Sequence, residues 1–124
     1  MKILELAFTG YPVTDMARAR RFYEGVLGLT VSRTFDDNGK PTWVEYDVGP
    51  GCLAIITGAG DNWPPADAGP AVALEVDDFD GYVEKCRDAG VTFRWEPQES
   101  PICWMAVVLD PDGNRVVLHH RKSR

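Results

Sequence analysis

The sequence of 124 residues lacks any apolar run near the roughly 20 residues that a membrane-spanning helix needs. Its N-terminus also lacks the basic segment, apolar stretch and small-residue cleavage site of a secretory signal. Cysteine is scarce: Cys52, Cys86 and Cys103 are an odd number and form no CxxC pair, so neither a disulfide framework nor a zinc knuckle is predicted. These absences, with a length that suits one hydrophobic core, predict a single cytoplasmic domain with free, buried thiols.

Positive charge is in short supply as well. The chain carries 13 Lys and Arg against 19 Asp and Glu, which gives a formal net charge of −6. Nucleic acids and anionic membranes bind clustered basic side chains, so neither is predicted as a partner. The negative charge instead favours a neutral or cationic small organic ligand.

What the sequence does contain is an order of patterns that occurs twice: a strand, a helix and three strands. A helical stripe of apolar residues after Thr14 or Asp15 ends at Gly28, and a similar stripe after Asp77 or Asp78 ends at Gly90. Alternating residues predict the first set of strands at 3–9, 30–35, 42–48 and 52–57, and the second at 71–76, 91–95, 103–109 and 115–120.

This repeat predicts βαβββ modules at residues 1–57 and 71–124, joined by a Gly- and Pro-rich linker at 58–70. In four of the strands one face is bulky and aliphatic, which suits packing under the helices. The opposite face carries mainly small residues with a few polar ones, namely Glu5, Ala7, Thr9, Cys52, Ala54, Ile56, Ala71, Ala73, Glu75, Arg115, Val117 and His119. Such a hollow is typical of a small-molecule site, although solvent or a dimer partner would also explain it.

Two segments carry a family resemblance: residues 11–29, from Tyr11 to Leu29, and the turn Asp110-Pro111-Asp112-Gly113-Asn114. With the repeat, they resemble the vicinal oxygen chelate superfamily of glyoxalase I, bleomycin-resistance proteins and extradiol dioxygenases over nearly the whole chain. The resemblance implies an α+β fold in which two βαβββ modules form a cupped mixed sheet with helices on the convex face, commonly completed in a homodimer. Family enzymes hold one divalent metal in the cup, on ligands from the first and last strands of each module.

The resemblance gives each ligand position a counterpart in this sequence. Glu5 matches the first-strand position if residues 10–12 are an insertion, and the other three positions are occupied by Ala54, Ala71 and Val117. Divalent cations need several nitrogen or oxygen donors, which alanine and valine do not supply. We therefore expect neither a metal nor another cofactor. A divalent metal would need displaced ligands, namely Glu5, Cys52 and His119.

Glu5 and His119 are the candidate catalytic residues, because a carboxylate and an imidazole on the hollow face could transfer protons. The alternatives are a Glu5 that is solvated or paired with Arg115, and a His119 with a structural role. The four tryptophans would suit either an aromatic pocket wall or the core, and Trp63 in the linker is the best candidate for a lid. The candidate ligand-binding residues are Ala54, Trp63, Ala71, Trp104, Arg115 and Val117.

The sequence thus favours a glyoxalase- or bleomycin-resistance-like protein that binds a small organic molecule in a concave sheet without the family metal. One alternative is a glyoxalase-type lyase or isomerase in which Glu5 and His119 transfer protons. A metal-dependent dioxygenase is less favoured, because three of the four ligand positions cannot ligate. The other alternative is a dimeric scaffold without a ligand.

Overall fold

The computed structural model describes residues 1–58 and 60–123. A strand, a helix and three strands follow one another in the first half, and the same order recurs in the second. The chain divides into two compact units, Met1–Pro65 and Ala66–Arg124, and the strands form two four-stranded sheets rather than one. The predicted α+β fold of two βαβββ modules is confirmed.

Unit one, Met1–Pro65, begins its regular structure at Thr9. Its elements are β1 (Thr9–Pro12), α1 (Met16–Arg20), a π-helix (Arg21–Val26), β2 (Val31–Asp37), β3 (Lys40–Val48), β4 (Gly51–Ile56) and a short 3-10 helix (Gly60–Asn62). The sheet has the order β1-β4-β3-β2, in which β1 runs parallel to β4 and the other pairs are antiparallel. The predicted turn between β2 and β3 is observed, since Asn38 and Gly39 take positive φ values of 52° and 77°.

Unit two, Ala66–Arg124, repeats this arrangement. Its elements are β5 (Val72–Glu75), α2 (Phe79–Asp88), β6 (Phe93–Glu99), β7 (Cys103–Leu109) and β8 (Arg115–Arg121), in the sheet order β5-β8-β7-β6. A constant shift of 63 positions relates the units at their starts, because β1 and β5 begin at Thr9 and Val72 and the helix caps are Asp15 and Asp78. No helix in the described part of the chain is long and apolar enough to cross a membrane.

The predicted first strand at residues 3–9 is wrong. Residues 1–8 form no regular structure, and Ile3 and Leu6 are 94% and 92% exposed. The strand lies instead at Thr9–Pro12, where Thr9 pairs with Leu53 of β4. Proline is tolerated there because β1 is an edge strand, so Pro12 removes no ladder hydrogen bond that the sheet needs. Alternation at residues 3–9 therefore describes a segment that no strand of its own unit pairs with.

Each helix packs on one side of its own sheet. In unit one, the fully buried ring of Tyr23 in the π-helix stacks on Tyr11 of β1 and Tyr46 of β3, at 6.2 and 6.1 Å between centroids. In unit two, Phe79 and Cys86 of α2 are buried together with Leu118 of β8. All three cysteines are free, but only Cys86 is buried, whereas the other two are half-buried.

Candidate functional site

Register determines which side chains share the sheet surface opposite the helix, which we call the helix-free face of each unit. Residues that pair across a ladder lie on the same face, and neighbours along a strand lie on opposite faces. In unit one, Tyr11 lies on the helix side, so the helix-free face contains its neighbours on β1 and their partners. These form two rows: Gly10, Ala54, Glu45 and Arg33, then Pro12, Ile56, Trp43 and Phe35.

Three aromatic rings meet on the helix-free face of unit one, and we call Phe8, Trp43 and Trp63 the aromatic cluster. The ring of Phe8 contacts that of Trp43 edge-on, at 5.1 Å between centroids. A Cβ atom at Gly10 would lie 2.6 Å from Cη2 of Trp63 and 3.2 Å from Cε2 of Phe8, so both rings rest against a glycine backbone. Phe8 and Trp63 remain 44% and 39% exposed. The cluster thus presents aromatic surface that the unit does not bury.

A pocket of about 270 Å³ borders the aromatic cluster. Trp63, Ile56 and Pro12 form part of its lining, together with Gly58 and Pro65 from the segment after β4. The predicted lid residue Trp63 therefore lies against the first and last strands of unit one. An aromatic wall with a few apolar neighbours suits one ring of a planar ligand.

The polar row of unit one centres on Glu45. Its carboxylate accepts a hydrogen bond from Trp43 Nε1 at 2.8 Å and lies 3.9 Å from the guanidinium of Arg33. On the neighbouring strand, burial raises the pKa of the Cys52 thiol, and the negative charges of Glu45 and Asp47 raise it further. Cys52 is therefore a neutral thiol at neutral pH and not an activated nucleophile.

Unit two places an imidazole–carboxylate pair on its helix-free face. His119 Nδ1 lies 2.6 Å from Oε1 of Glu75, and Glu75 Oε2 accepts the backbone N–H of Arg121 at 2.7 Å. These two hydrogen bonds, that from Arg121 first, lower the pKa of Glu75. The two rows of this face are Ala73, Val117, Val107 and Trp95, then Glu75, His119, Met105 and Gln98.

Rows that correspond by the 63-position shift differ in chemistry between the two units. Ile56, beside the aromatic cluster, corresponds to His119. Ala54 corresponds to Val117, but Ala54 pairs with the charged Glu45 whereas Val117 pairs with the apolar Val107. Unit one therefore has an aromatic row beside a charged one, whereas unit two has an apolar row beside the His119–Glu75 pair. The fold is repeated but the surface chemistry is not.

The predicted catalytic residue Glu5 does not lie on the strand where the prediction placed it. It is exposed within residues 1–8, and the 63-position shift makes Phe8, rather than Glu5, the counterpart of Ala71. Gly10-Tyr11-Pro12 is not an insertion, because it forms most of β1. Within unit two, the carboxylate partner of His119 is Glu75.

The predicted ligand-binding residues lie in different surroundings. Ala54 and Val117 occupy the helix-free faces of units one and two, and Ala71 directly precedes β5. Arg115, at the start of β8, pairs with Asp67, which also binds Arg94 at 3.0 Å. The hydrogen bond from Arg115, followed by that from Arg94, lowers the pKa of Asp67. Arg115 is thus part of an ion-pair group at the start of unit two.

Trp104 is on the opposite face of its sheet from His119. It pairs with His120, one position along β8, and its ring lies 6.4 Å from that of Phe79 in α2. Lys122 Nζ lies 5.0 Å from the same ring. Trp95 is the tryptophan on the helix-free face of unit two, and it is 47% exposed.

The side chains at the family's ligand positions do not fit a divalent metal. Ala54, Ala71 and Val117 supply no donor, and Glu5 lies outside the strand that would orient it. Within residues 1–58 and 60–123, His, Cys, Asp and Glu side chains form no group of three that could hold a metal ion.

Sequence reasoning missed Phe8 and Glu45 as members of these surfaces, and it named Trp43 only as one of four tryptophans. Glu75 lies on the predicted hollow face, but the sequence does not connect it with His119. Trp43 and Glu45 alternate along one strand, which places them on one face but does not say which. The pairing with Ile56 and Ala54 decides this.

Comparison with known proteins agrees with this architecture. A family model described as the Glyoxalase/Bleomycin resistance protein/Dioxygenase superfamily matches residues 5–118. No curated protein sequence matched the chain.

Solved structures of similar proteins share the fold at low sequence identity. An antibiotic binding protein from Streptomyces sp. CB03234, TnmS3, is 22% identical with a TM-score of 0.77, over 98% of this chain and 99% of that one. A glyoxalase/bleomycin resistance protein from the same organism is 23% identical with a TM-score of 0.73, over 92% and 98% of the two chains. The fosfomycin resistance protein FosX from Mesorhizobium loti is 23% identical with a TM-score of 0.68, over 96% and 93%.

Proposed function

Since this chain belongs to the Glyoxalase/Bleomycin resistance protein/Dioxygenase superfamily, we propose that it binds and sequesters a planar aromatic molecule on the helix-free face of unit one. The observation that carries this proposal is the aromatic cluster, in which Trp63 and Phe8 rest against Gly10 and stay partly exposed. Exposed aromatic rings leave a large apolar surface in contact with water, so the stacking of a flat ligand on them is favourable.

The polar surroundings favour a ligand that is neutral or carries a positive charge. Glu45 lies on the row beside Trp43, and its carboxylate is held by the Trp43 indole N–H. Arg33, at 3.9 Å, only partly offsets its charge because that side chain is 65% exposed. A cationic or hydrogen-bond-donating substituent on the ligand would therefore find an acceptor next to the rings. The formal net charge of −6 also favours a positively charged ligand at longer range.

Similar proteins that bind antibiotics or confer resistance to them support a ligand-binding function. TnmS3 is an antibiotic binding protein, and FosX is a fosfomycin resistance protein. The aromatic cluster is the feature of this chain that favours a planar aromatic ligand. We propose a ligand of that kind and no metal, because three of the family's four ligand positions lack donors.

Calorimetric titration with proflavine, a planar cation, tests the proposal, with 1-adamantylamine as a cation of similar charge and no flat ring. We expect Trp63→Ala to weaken proflavine binding about 5- to 10-fold, since a lost aromatic contact costs about 1–1.5 kcal/mol. Gly10→Ala should weaken it similarly, because the new methyl group displaces the Trp63 ring. Gly25→Ala is the matched control, since a Cβ there would meet no described atom within 4 Å beyond its chain neighbours and the backbone of its own helix.

Two outcomes would contradict the proposal. Equal binding of adamantylamine and proflavine would show that charge rather than ring stacking drives association. Unchanged proflavine affinity in both Trp63→Ala and Gly10→Ala would place the ligand away from the aromatic cluster.

A second candidate function is a proton-transfer enzyme of the glyoxalase lyase or isomerase type. The observation that favours it is the Glu75–His119 hydrogen bond, since a carboxylate on Nδ1 orients an imidazole for acid–base work at Nε2. Turnover of the hemithioacetal of methylglyoxal and glutathione, lost in His119→Gln but kept in His120→Gln, would support it. His120 is a suitable control because its Nδ1 lies 2.6 Å from the backbone carbonyl of Val76, a structural contact. Unchanged substrate with the wild-type protein would count against this function.

The homodimer stays a prediction, and the exposed apolar side chains of residues 1–8 support it. Ile3, Leu4 and Leu6 are 94%, 81% and 92% exposed, which is unusual for three large apolar side chains this close together that no partner covers. Sedimentation equilibrium of the whole chain and of a triple variant, Ile3→Ser, Leu4→Ser and Leu6→Ser, tests this. A wild-type monomer at about 100 μM would refute the dimer, because stable homodimers bind far more tightly.

A further inference from the structure

A second pocket of unit one lies at the other surface of the sheet. Its volume is about 630 Å³, and Thr42 and Thr57 belong to its lining. The Thr57 backbone N–H donates to the Thr42 carbonyl at 3.0 Å, which continues the ladder one step beyond the Trp43–Ile56 pair. Alternation therefore puts these threonines on the helix side of the sheet, away from the aromatic cluster. A pocket of this size is in the range of about 300–1,000 Å³ that small-molecule sites occupy.

Apolar groups from two elements line the pocket. Met16 and Ala17 come from the first turn of α1, and Pro41 comes from the beginning of β3. Met16 and Pro41 are half-buried without a ligand, and Ala17 is exposed. This lining would bury the hydrocarbon part of a ligand.

Three polar groups at the same pocket have donors to spare. Arg20 directs Nε and Nη2 to Glu24, at 2.6 and 3.3 Å, and also interacts with Tyr46, so only some of its five N–H donors are used. Within residues 1–58 and 60–123, the Lys40 ammonium and the Thr57 hydroxyl make no side-chain hydrogen bond or ion pair. A few convergent donors in a mainly apolar pocket are what orients a small ligand.

The charge at this pocket is opposite to that of the chain. Two of its lining residues are basic and none is acidic, although the chain as a whole carries a formal charge of −6. Glu24 offsets part of the charge of Arg20, whereas Lys40 forms no ion pair within residues 1–58 and 60–123. We propose that this pocket is a second binding site, for a small amphipathic carboxylate, with its apolar part against Met16 and Pro41 and its carboxylate on Lys40 and Arg20.

Calorimetry with 4-phenylbutyrate, compared with the neutral 4-phenylbutyramide, tests the proposal on the whole chain. We expect saturable binding of the acid and at least 5-fold weaker binding of the amide. Added salt should weaken the binding of the acid. Lys40→Gln should weaken binding of the acid about 5- to 10-fold, since a charge-assisted hydrogen bond is lost. Lys85→Gln, on the exposed surface of α2, is the matched control and should have no effect.

A filling variant and a variant of the aromatic cluster locate the site. Ala17→Phe should abolish binding while keeping the melting temperature, because Ala17 is exposed and the ring enters empty space. Trp63→Ala should leave phenylbutyrate affinity unchanged, since Trp63 borders the other pocket. Equal affinity for acid and amide, full binding in Lys40→Gln, loss of binding in Trp63→Ala, or no saturable binding up to about 10 mM would each overturn the proposal. None of these results bears on proflavine binding, so the two sites are tested separately.

Discussion

Replacing Tyr46 by phenylalanine should destabilise the protein by about 1.5 kcal/mol, because it removes one buried hydrogen bond to a charged acceptor. The Tyr46 side chain is fully buried, and its hydroxyl donates to Glu24 Oε2 at 2.8 Å. Burial, and then the bond to Glu24, raise the pKa of Tyr46 far above its usual range, so the hydroxyl remains protonated and donates at neutral pH.

The expected loss of stability is limited because Glu24 keeps its ion pair with Arg20 in the Tyr46→Phe variant. Hydrogen bonds to charged groups contribute about 1.5–3 kcal/mol, and the lower end applies because Glu24 retains Arg20 and its side chain is 29% exposed to water. The phenylalanine ring retains the stacking on Tyr23, at 6.1 Å, so little packing is lost. In a domain of this length the expected fall in melting temperature is about 6 °C.

Thermal and urea unfolding measure the effect, with Tyr82→Phe on α2 as the matched control because Tyr82 is only half-buried. The double variant Tyr46→Phe, Glu24→Ala should be less destabilised than the sum of the two single variants, since each of them removes the same bond. A melting temperature within about 1 °C of wild type, or full additivity in the double variant, would refute this account of the bond.

Three further predictions concern pH and packing. Burial raises the pKa of Glu24, but its hydrogen bonds lower the pKa by more. The stabilising effect of Glu24 is therefore present above the ordinary carboxyl pKa of about 4.3 and is lost as the pH falls through the lower pKa of the folded state. In urea unfolding, Glu24→Gln should lose less stability than the wild type as the pH is lowered. Asn114→Ala should cost about 2–3 kcal/mol by thermal unfolding, because the Asn114 amide donates to buried Asp110 at 2.8 Å, and a loss below 0.5 kcal/mol would show this bond to be dispensable. Trp104→Ala should destabilise by about 2 kcal/mol and Trp95→Ala by less than about 0.5 kcal/mol, since Trp104 packs towards α2 whereas Trp95 is 47% exposed; equal losses in urea would contradict the assigned faces.

Local chemistry made much of the fold predictable. Asp15 and Asp78 each accept a hydrogen bond, at 3.0 Å, from the backbone N–H of the residue three positions later. The start of each helix therefore depends on a local contact. Gly28 and Gly90 take positive φ values of 75° and 72° just after the helices, which a glycine permits without strain. These devices repeat in the sequence, and the repeat therefore predicts the architecture of both units.

The candidate site was less predictable because it depends on strand pairing. Residues 3–9 alternate as a strand does, but β4 pairs with Thr9–Pro12 instead, and this leaves Glu5 in an exposed segment. Strand register also decides on which face Trp104 lies. Trp104 pairs with His120, so it lies on the opposite face from His119, the neighbouring residue of β8. The aromatic cluster depends on Gly10, whose missing Cβ lets the Trp63 ring approach from far along the chain.

The sequence by itself determined the repeated βαβββ order, the caps and turns, the family, and the lack of donors at Ala54, Ala71 and Val117, because each follows from local residue types or from their spacing. The tertiary structure alone decided that Glu75 rather than Glu5 meets His119, and that Trp63 lies over Gly10. The physical reason is that a strand's period of two fixes which residues share a face, whereas pairing with a distant strand fixes which face meets the helix.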